Sequence, residues 1–133
     1  MTIEDFEVVN EIGKGAYSVV NLVRQRKTGR IFAMKRMAKE RVASFQEGIR
    51  VRTERAVMLH FNSSFIVKLY YVFQDDVHLY FVMDYAAGGD LSHLLNQCGS
   101  VPESWARRWF AQMVQAVMLL HGVDVNSIMN ANT

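Results

Sequence analysis

The 133 residues predict an α+β fold: a five-stranded antiparallel sheet with one main helix, followed by further helices. Three observations carry this. Two β-branched segments flank Gly13 and Gly15, and a third follows a turn at Lys27, Thr28 and Gly29, which is an antiparallel opening and not a βαβ unit. A loosely helical stretch then separates these strands from two more that meet at Asp75 and Asp76. Beyond them, strand character gives way to apolar residues at three- and four-residue steps.

Each element has its own warrant. Residues 6–12 and 18–24 have a high β-branched content and end at the glycine loop, and the strand at 31–37 follows the second turn. Residues 45–61 hold few strand formers beyond Val51 and Val57, and they space Phe45, Ile49, Ala56, Met58 and Leu59 as a helix. Strands at 66–74 and 77–84 form the second hairpin, after which Ala86, Gly88 and Gly89 break the pattern. A short helix is expected over 90–96, with Asp90 at the end where negative charge is favoured. The strongest helix is 104–121. Pro102 and Glu103 precede it, and Trp105, Trp109, Phe110, Met113, Val114, Val117 and Leu120 recur along one side.

Composition excludes several classes. Half the residues are apolar and 21% are charged, so a packed core is expected and intrinsic disorder is not. The net charge is +2, from 15 basic and 13 acidic residues, without a basic run suited to nucleic acid or a lipid surface. The longest apolar runs hold five residues, against the ~20 needed to span a bilayer. The start, with Glu4 and Asp5, does not read as a secretory signal, so the expected location is cytoplasmic, with the nucleus as alternative. Cys98 has no partner for a disulfide, and His60, His78, His93 and His121 lack metal-ligand spacing.

Two segments carry chemistry. Gly13-Lys14-Gly15-Ala16-Tyr17-Ser18-Val19-Val20 lies between strands, where glycines give the backbone unusual freedom and let amides approach a polyphosphate; a plain hairpin turn is the other reading. A Rossmann loop must run into a helix, and a Walker loop needs Gly-Lys-Ser/Thr, so neither applies. Phe32-Ala33-Met34-Lys35 sets a lysine in an apolar strand. Alternation puts Ala33 and Lys35 on one face, leaving room for a flat ring while the ammonium reaches phosphate; the other reading is an edge lysine facing solvent.

In order, Gly13-x-Gly15-x-x-Ser18-x-Val20, Ala33-Met34-Lys35, Glu54 in a helix, and Leu79-Tyr80-Phe81-Val82-Met83-Asp84-Tyr85-Ala86-Ala87-Gly88-Gly89-Asp90-Leu91 closely resemble the N-terminal lobe and hinge of eukaryotic protein kinases. Asp5-Phe6, Phe65-Ile66-Val67-Lys68-Leu69-Tyr70-Tyr71, Phe73-Gln74-Asp75 and the Gly-Gly-Asp hinge exit resemble the AGC group of Ser/Thr kinases, with phrases similar to both phosphoinositide-dependent and citron/Rho-associated kinases. The resemblance covers roughly residues 5–122. It implies a partial kinase domain over 5–125, with a small lobe at 5–83, a hinge at 84–89, the start of the large lobe at 90–125 and a divergent tail at 126–133.

The resemblance also implies roles. ATP is the expected cofactor, used as Mg-ATP in the complete family domain. Gly13, Gly15 and Ser18, the last standing where the family usually has a third glycine, would cover its phosphates. Lys35 would meet the α/β phosphates and pair with Glu54, preferred over Glu47 although Arg52 and Arg55 flank it. In a partly dry cleft, losing one partner of such a pair would cost about 3–5 kcal/mol. Ile12, Val20 and Ala33 would line the adenine site, Met83 would guard its back, and the backbone of Asp84 and Ala86 would bond the ring edge. Asp90 matches an acidic residue near the ribose and is equally a helix cap. Met58 and Leu69 match the upper part of a packed column that couples helix position to activity.

The family pattern is not continued past the last helix. Where His-Arg-Asp is expected, about five residues beyond Leu120-His121, stand Ser127, Ile128 and Met129, and Asp-Phe-Gly occurs nowhere. Asn126, Asn130 and Asn132 have no carboxylate register for a metal, and no metal ligand is expected. The expectation is therefore the ATP-binding portion of a Ser/Thr kinase, inactive as given and cut short by truncation, missplicing or a misread frame. A pseudokinase-like nucleotide-binding or docking module, or a non-functional fragment, is the alternative. A protein substrate is expected only for a complete kinase, and the apolar side of the last helix is expected to self-associate.

Overall fold

A computed structural model describes residues 1–122. A 3-10 turn, Ile3–Asp5, leads into β1 (Phe6–Lys14), β2 (Ser18–Gln25) and β3 (Ile31–Ala38). Two helices follow, α1 (Lys39–Val42) and α2 (Phe45–His60), then β4 (Leu69–Gln74), β5 (His78–Met83), α3 (Leu91–Cys98) and α4 (Glu103–His121). The five strands form one sheet in the order β1-β2-β3-β5-β4, every neighbouring pair antiparallel.

Local chemistry explains the turns. Between β2 and β3, the Thr28 hydroxyl donates to Gln25 Oε1 at 2.6 Å and the Gly29 N–H donates to the Gln25 carbonyl at 2.8 Å. Gly29 takes φ +72°, a left-handed value that disfavours a side chain. Asp75 builds the β4–β5 turn, its Oδ1 accepting the N–H groups of Val77 and His78 at 2.8 and 2.6 Å.

The sheet is apolar on both faces. Phe32 and Met34 of β3 join Phe6, Val23, Tyr80 and Val82 in one buried cluster. Phe6, Phe73 and Tyr80 extend it as successive stacked rings, with centroids 5.9 and 4.9 Å apart. On the other face, Met37 and Phe81 pack with Leu69 and with Met58 of α2. The period of two along β3 thus divides its residues between an aromatic face and a helix-covered face. Met58 and Leu69, matched by resemblance to one packed column, do share a cluster.

Element boundaries differ from the sequence reading at a few places. β4 begins at Leu69, not 66, because the Phe65 N–H donates to Ser63 Oγ and the Ile66 N–H to the Ser63 carbonyl, both at 3.2 Å. That local turn takes hydrogen bonds a ladder would need. α3 runs on to Cys98 and stops where Gly99 adopts φ +71°. The α1 turn was not anticipated; it follows directly from β3, where the Lys39 N–H donates to the Val77 carbonyl at 2.8 Å. Along α4, Trp105, Phe110, Met113, Val117 and Met118 remain exposed. Among the described residues, no helix is long and apolar enough to cross a membrane.

Candidate functional site

The β1–β2 loop is held by its own backbone. The Gly15 N–H donates to the Ser18 carbonyl at 2.8 Å, and Gly13 stands opposite Val20. A Cβ on Gly15 would lie 3.1 Å from Ser18 Oγ, so a larger residue requires the Ser18 side chain to give way by a few tenths of an ångström. This corrects the sequence argument for these glycines. Neither has a positive φ, and among the described residues positive φ is confined to Gly29, Gly89 and Gly99. The pressure toward glycine at position 15 is close approach, not a forbidden conformation.

Cross-strand register assembles the wall beneath the loop. Lys35 stands opposite Val20 on β2 and Phe81 on β5, while Ala33 stands opposite Leu22 and Met83. Directly opposed residues share a face, so Val20, Ala33, Lys35 and Met83 lie together on the helix-covered face of the sheet. β3 is the central strand, which removes the reading of Lys35 as an edge lysine. Ile12 sits at the rim, where the β1–β2 register shifts between Glu11 and Gly13, and is exposed.

Lys35 Nζ lies 2.7 Å from both Glu54 Oε1 and Oε2. Glu47, two helical turns earlier on α2, is engaged elsewhere: its Oε1 accepts from Arg50 at 2.7 Å, and its N–H donates to the N-cap Ser44 Oγ at 3.3 Å. The Ser44-x-x-Glu47 spacing is a helix-start signature readable in the sequence, and it assigns Glu47 to the first turn. A cavity of about 230 Å³, lined by Tyr17 and Ser18 of the loop and by Lys35, Val51 and Glu54, lies over the pair. Glu47 and Arg50 line the same cavity, whereas Ile12, Val20, Ala33 and Met83 do not, so the cavity itself offers cationic groups for an anion and the expected ring-lining residues lie beside it on the sheet face.

The sheet ends at Met83, and the next residues turn outward. The Asp84 N–H donates to the Lys68 carbonyl at 3.1 Å, so the backbone group it leaves for a ligand is its own carbonyl. The Ala86 carbonyl accepts from the Gly89 N–H at 3.1 Å. Asp90 does not join the Lys35 cavity. Its Oδ1 accepts the His93 N–H at 2.6 Å as the N-cap of α3, and the residue lines a separate cavity of about 640 Å³ with Phe65, Leu94, Trp109 and Met113.

A protein kinase domain model matches residues 6–128 of the sequence. The chain belongs to the protein kinase family. It is 42% identical to human Rho-associated protein kinase 1 over 123 residues, which is 92% of this chain and 9% of that protein. It is 44% identical to the human serine/threonine-protein kinase MRCK gamma over 119 residues, 89% and 8% of the two chains. Against the serine/threonine-protein kinase CBK1 of Yarrowia lipolytica it is 40% identical over 121 residues, 91% and 21%. These are AGC-type Ser/Thr kinases, and the chain spans less than a tenth of the length of the first two. The five strands with α2 are the kinase N-terminal lobe, and α3 and α4 follow it.

Sequence reasoning missed two contributors to this kinase lobe. Phe81, fully buried opposite Lys35, was one apolar residue in an apolar run. Tyr70 reaches Asp84 only because β4 carries an irregularity that no residue type marks. The tail boundary at 126 and the positions of Ser127, Ile128, Met129, Asn126, Asn130 and Asn132 lie outside the described residues.

Proposed function

We propose that this stretch of a Ser/Thr protein kinase holds ATP between the glycine loop and the β3–β5 wall. The observation that carries the reading is the Lys35 ammonium, fixed by both oxygens of Glu54 at 2.7 Å within the cavity under Ser18. In this reading the backbone at Gly13, Gly15 and Ser18 covers the phosphates, and Ile12, Val20 and Ala33 enclose the adenine against Met83. The Asp84 carbonyl and the Ala86 N–H bond the ring edge. Lys35 neutralises charge on the α/β phosphates, and Glu54 keeps its ammonium at that point. Asp90 is assigned to capping α3 first and to the ribose side second.

Mg-ATP supplies the phosphoryl group in the complete family domain. Within these 133 residues there is no His-Arg-Asp and no Asp-Phe-Gly, so no carboxylate stands in register to orient a hydroxyl nucleophile or hold magnesium. The stretch alone is accordingly proposed to bind nucleotide without transferring phosphate. Protein substrate recognition belongs to the complete kinase.

Calorimetric titration of the purified chain with Mg-ATP tests the reading. Saturable binding is expected, weakened about tenfold in Lys35→Met by loss of a charge-assisted contact. Absence of binding by the wild-type chain overturns it. Phosphate transfer to a basic peptide above the Lys35→Met background overturns the assignment of inactivity.

A further inference from the structure

β4 and β5 pair Leu69 with Met83 and Tyr71 with Val82, so Tyr70 is an extra residue on β4, inserted where the sheet ends. Such a bulge re-aims the inserted side chain. The Tyr70 ring lies against Phe32, with centroids 5.1 Å apart, and the Arg30 guanidinium carbon stands 5.1 Å from the Tyr70 centroid. Beyond the ring, the Tyr70 hydroxyl donates to Asp84 Oδ1 at 2.8 Å. Asp84 Oδ2 accepts the Lys68 N–H at 3.2 Å, and the Asp84 N–H returns to the Lys68 carbonyl at 3.1 Å. One residue just past β5 is therefore tied to β4 through both carboxylate oxygens and its amide.

We propose that Tyr70 and the Asp84 carboxylate form a positioning clamp that fixes the N–Cα–Cβ frame of residue 84 and so places its carbonyl group beside the base of a bound nucleotide. This rests on the ATP reading above. The amide bond to Lys68 sets the position of residue 84 but leaves rotation about its N–Cα bond, φ, available, and that rotation swings the carbonyl carbon. Two further attachments through the side chain, one of them to a ring wedged against Phe32, restrict that rotation. The clamp sits on the base side of the site, away from Lys35, so its contribution falls on base recognition and not on phosphate recognition. Tyr70 acts through Asp84 and touches no ligand atom.

Tyr70→Phe isolates the hydroxyl, because the ring and its contacts with Phe32 and Arg30 stay. The wild-type chain and this variant are titrated calorimetrically with ATP, adenosine and inorganic tripolyphosphate, and their melting temperatures are compared. The expected result is a loss of about three- to tenfold in affinity for both ATP and adenosine, the worth of one positioned hydrogen bond. Tripolyphosphate affinity should be unchanged, and the melting temperature should fall by no more than the few degrees that one exposed hydrogen bond is worth. Asp84→Asn, which keeps one acceptor oxygen, should fall between the two. Adenosine affinity equal to wild type in Tyr70→Phe overturns the clamp while leaving the ATP reading intact. An equal loss for adenosine and tripolyphosphate also overturns it, since that marks general loosening. A wild-type chain that binds neither ATP nor adenosine overturns the ATP reading, and the clamp with it.

Discussion

Replacing Lys35 by Met and Glu54 by Gln, singly and together, measures what the pair contributes to the kinase lobe. At 2.7 Å and an effective dielectric near 20, bare Coulomb attraction is about 6 kcal/mol, most of it spent restoring hydration that the two ions give up. The residual exposure decides the remainder. Lys35 keeps 22% of its side-chain surface and Glu54 36%, so water stabilises either charge when its partner is removed. The about 3–5 kcal/mol expected for a dry pair is then too large. Exposed pairs give about 0.2–1 kcal/mol. A bidentate contact between these limits should show a coupling energy of about 1–2 kcal/mol. Urea unfolding of the four proteins in a double-mutant cycle reads it directly, and 1 M salt should reduce it. A coupling below about 0.3 kcal/mol would refute the reasoning, leaving α2 held to the sheet by Met58, Phe81 and their neighbours alone.

Other consequences are open to measurement. Phe81→Ala empties a fully buried site between β5 and α2 and should cost about 3–5 kcal/mol in urea unfolding; a loss under 1 kcal/mol would mean that the cluster around Met37 and Leu69 collapses to fill it. Gly15→Val brings a branched side chain to within 3.1 Å of Ser18 Oγ, so nucleotide affinity should fall while circular dichroism stays native; unchanged affinity would show that the loop opens freely. The Tyr80 hydroxyl and the His78 and Val77 N–H groups hold the Asp75 carboxyl down to about 2 from 3.8, and burial, with Asp75 beside it, pushes the Tyr80 phenol from 10 up to about 12. Stability from Asp75 is complete above pH 3.8 and lost as pH falls toward 2, while that from Tyr80 is complete below pH 10 and lost as pH rises toward 12. Thermal melts of Tyr80→Phe should therefore lie below wild type at neutral pH and converge with it at both extremes, and a pH-independent gap would contradict this. Exposed Trp105, Phe110, Met113, Val117 and Met118 on α4 should drive self-association, visible in sedimentation and relieved by Phe110→Glu; a wild-type monomer at high concentration would refute it.

The sequence made most of the lobe legible because its signals are local and periodic. Alternation along 31–37 separated Phe32 and Met34 from Ala33 and Lys35, and the structure puts the first two in the aromatic cluster. Asp75, Gly29 and Asp90 each mark a turn or cap through chemistry confined to a few residues. What escaped depends on pairs far apart in the chain. The bulge at Tyr70 is a mismatch between two strands, and neither strand announces it. The start of β4 at Leu69 turned on whether Ser63 captures the amides of Phe65 and Ile66, a competition that apolar patterning does not register. The glycine loop was located correctly for a reason that applies only in part, since close approach to Ser18 governs Gly15 and backbone sign does not.

The central place of β3 makes the Lys35–Glu54 contact a consequence of the sheet order and not an optional surface pair. An edge lysine extends into water, but β3 is flanked by β2 and β5, with Val20 and Phe81 directly beside Lys35. Its ammonium can leave the wall only away from the sheet, toward α2, where Glu54 meets it. The helix supplying that carboxylate is also the helix whose Met58 packs against Phe81. Polar and apolar attachments of α2 therefore converge on the same two neighbouring strands. Any anion that draws the ammonium away from Glu54 loosens the polar attachment and leaves the apolar one in place. In the proposed reading, nucleotide binding at Lys35 and the placement of α2 should thus be linked through the bidentate Lys35–Glu54 pair, with Met58 and Phe81 setting how far the helix follows.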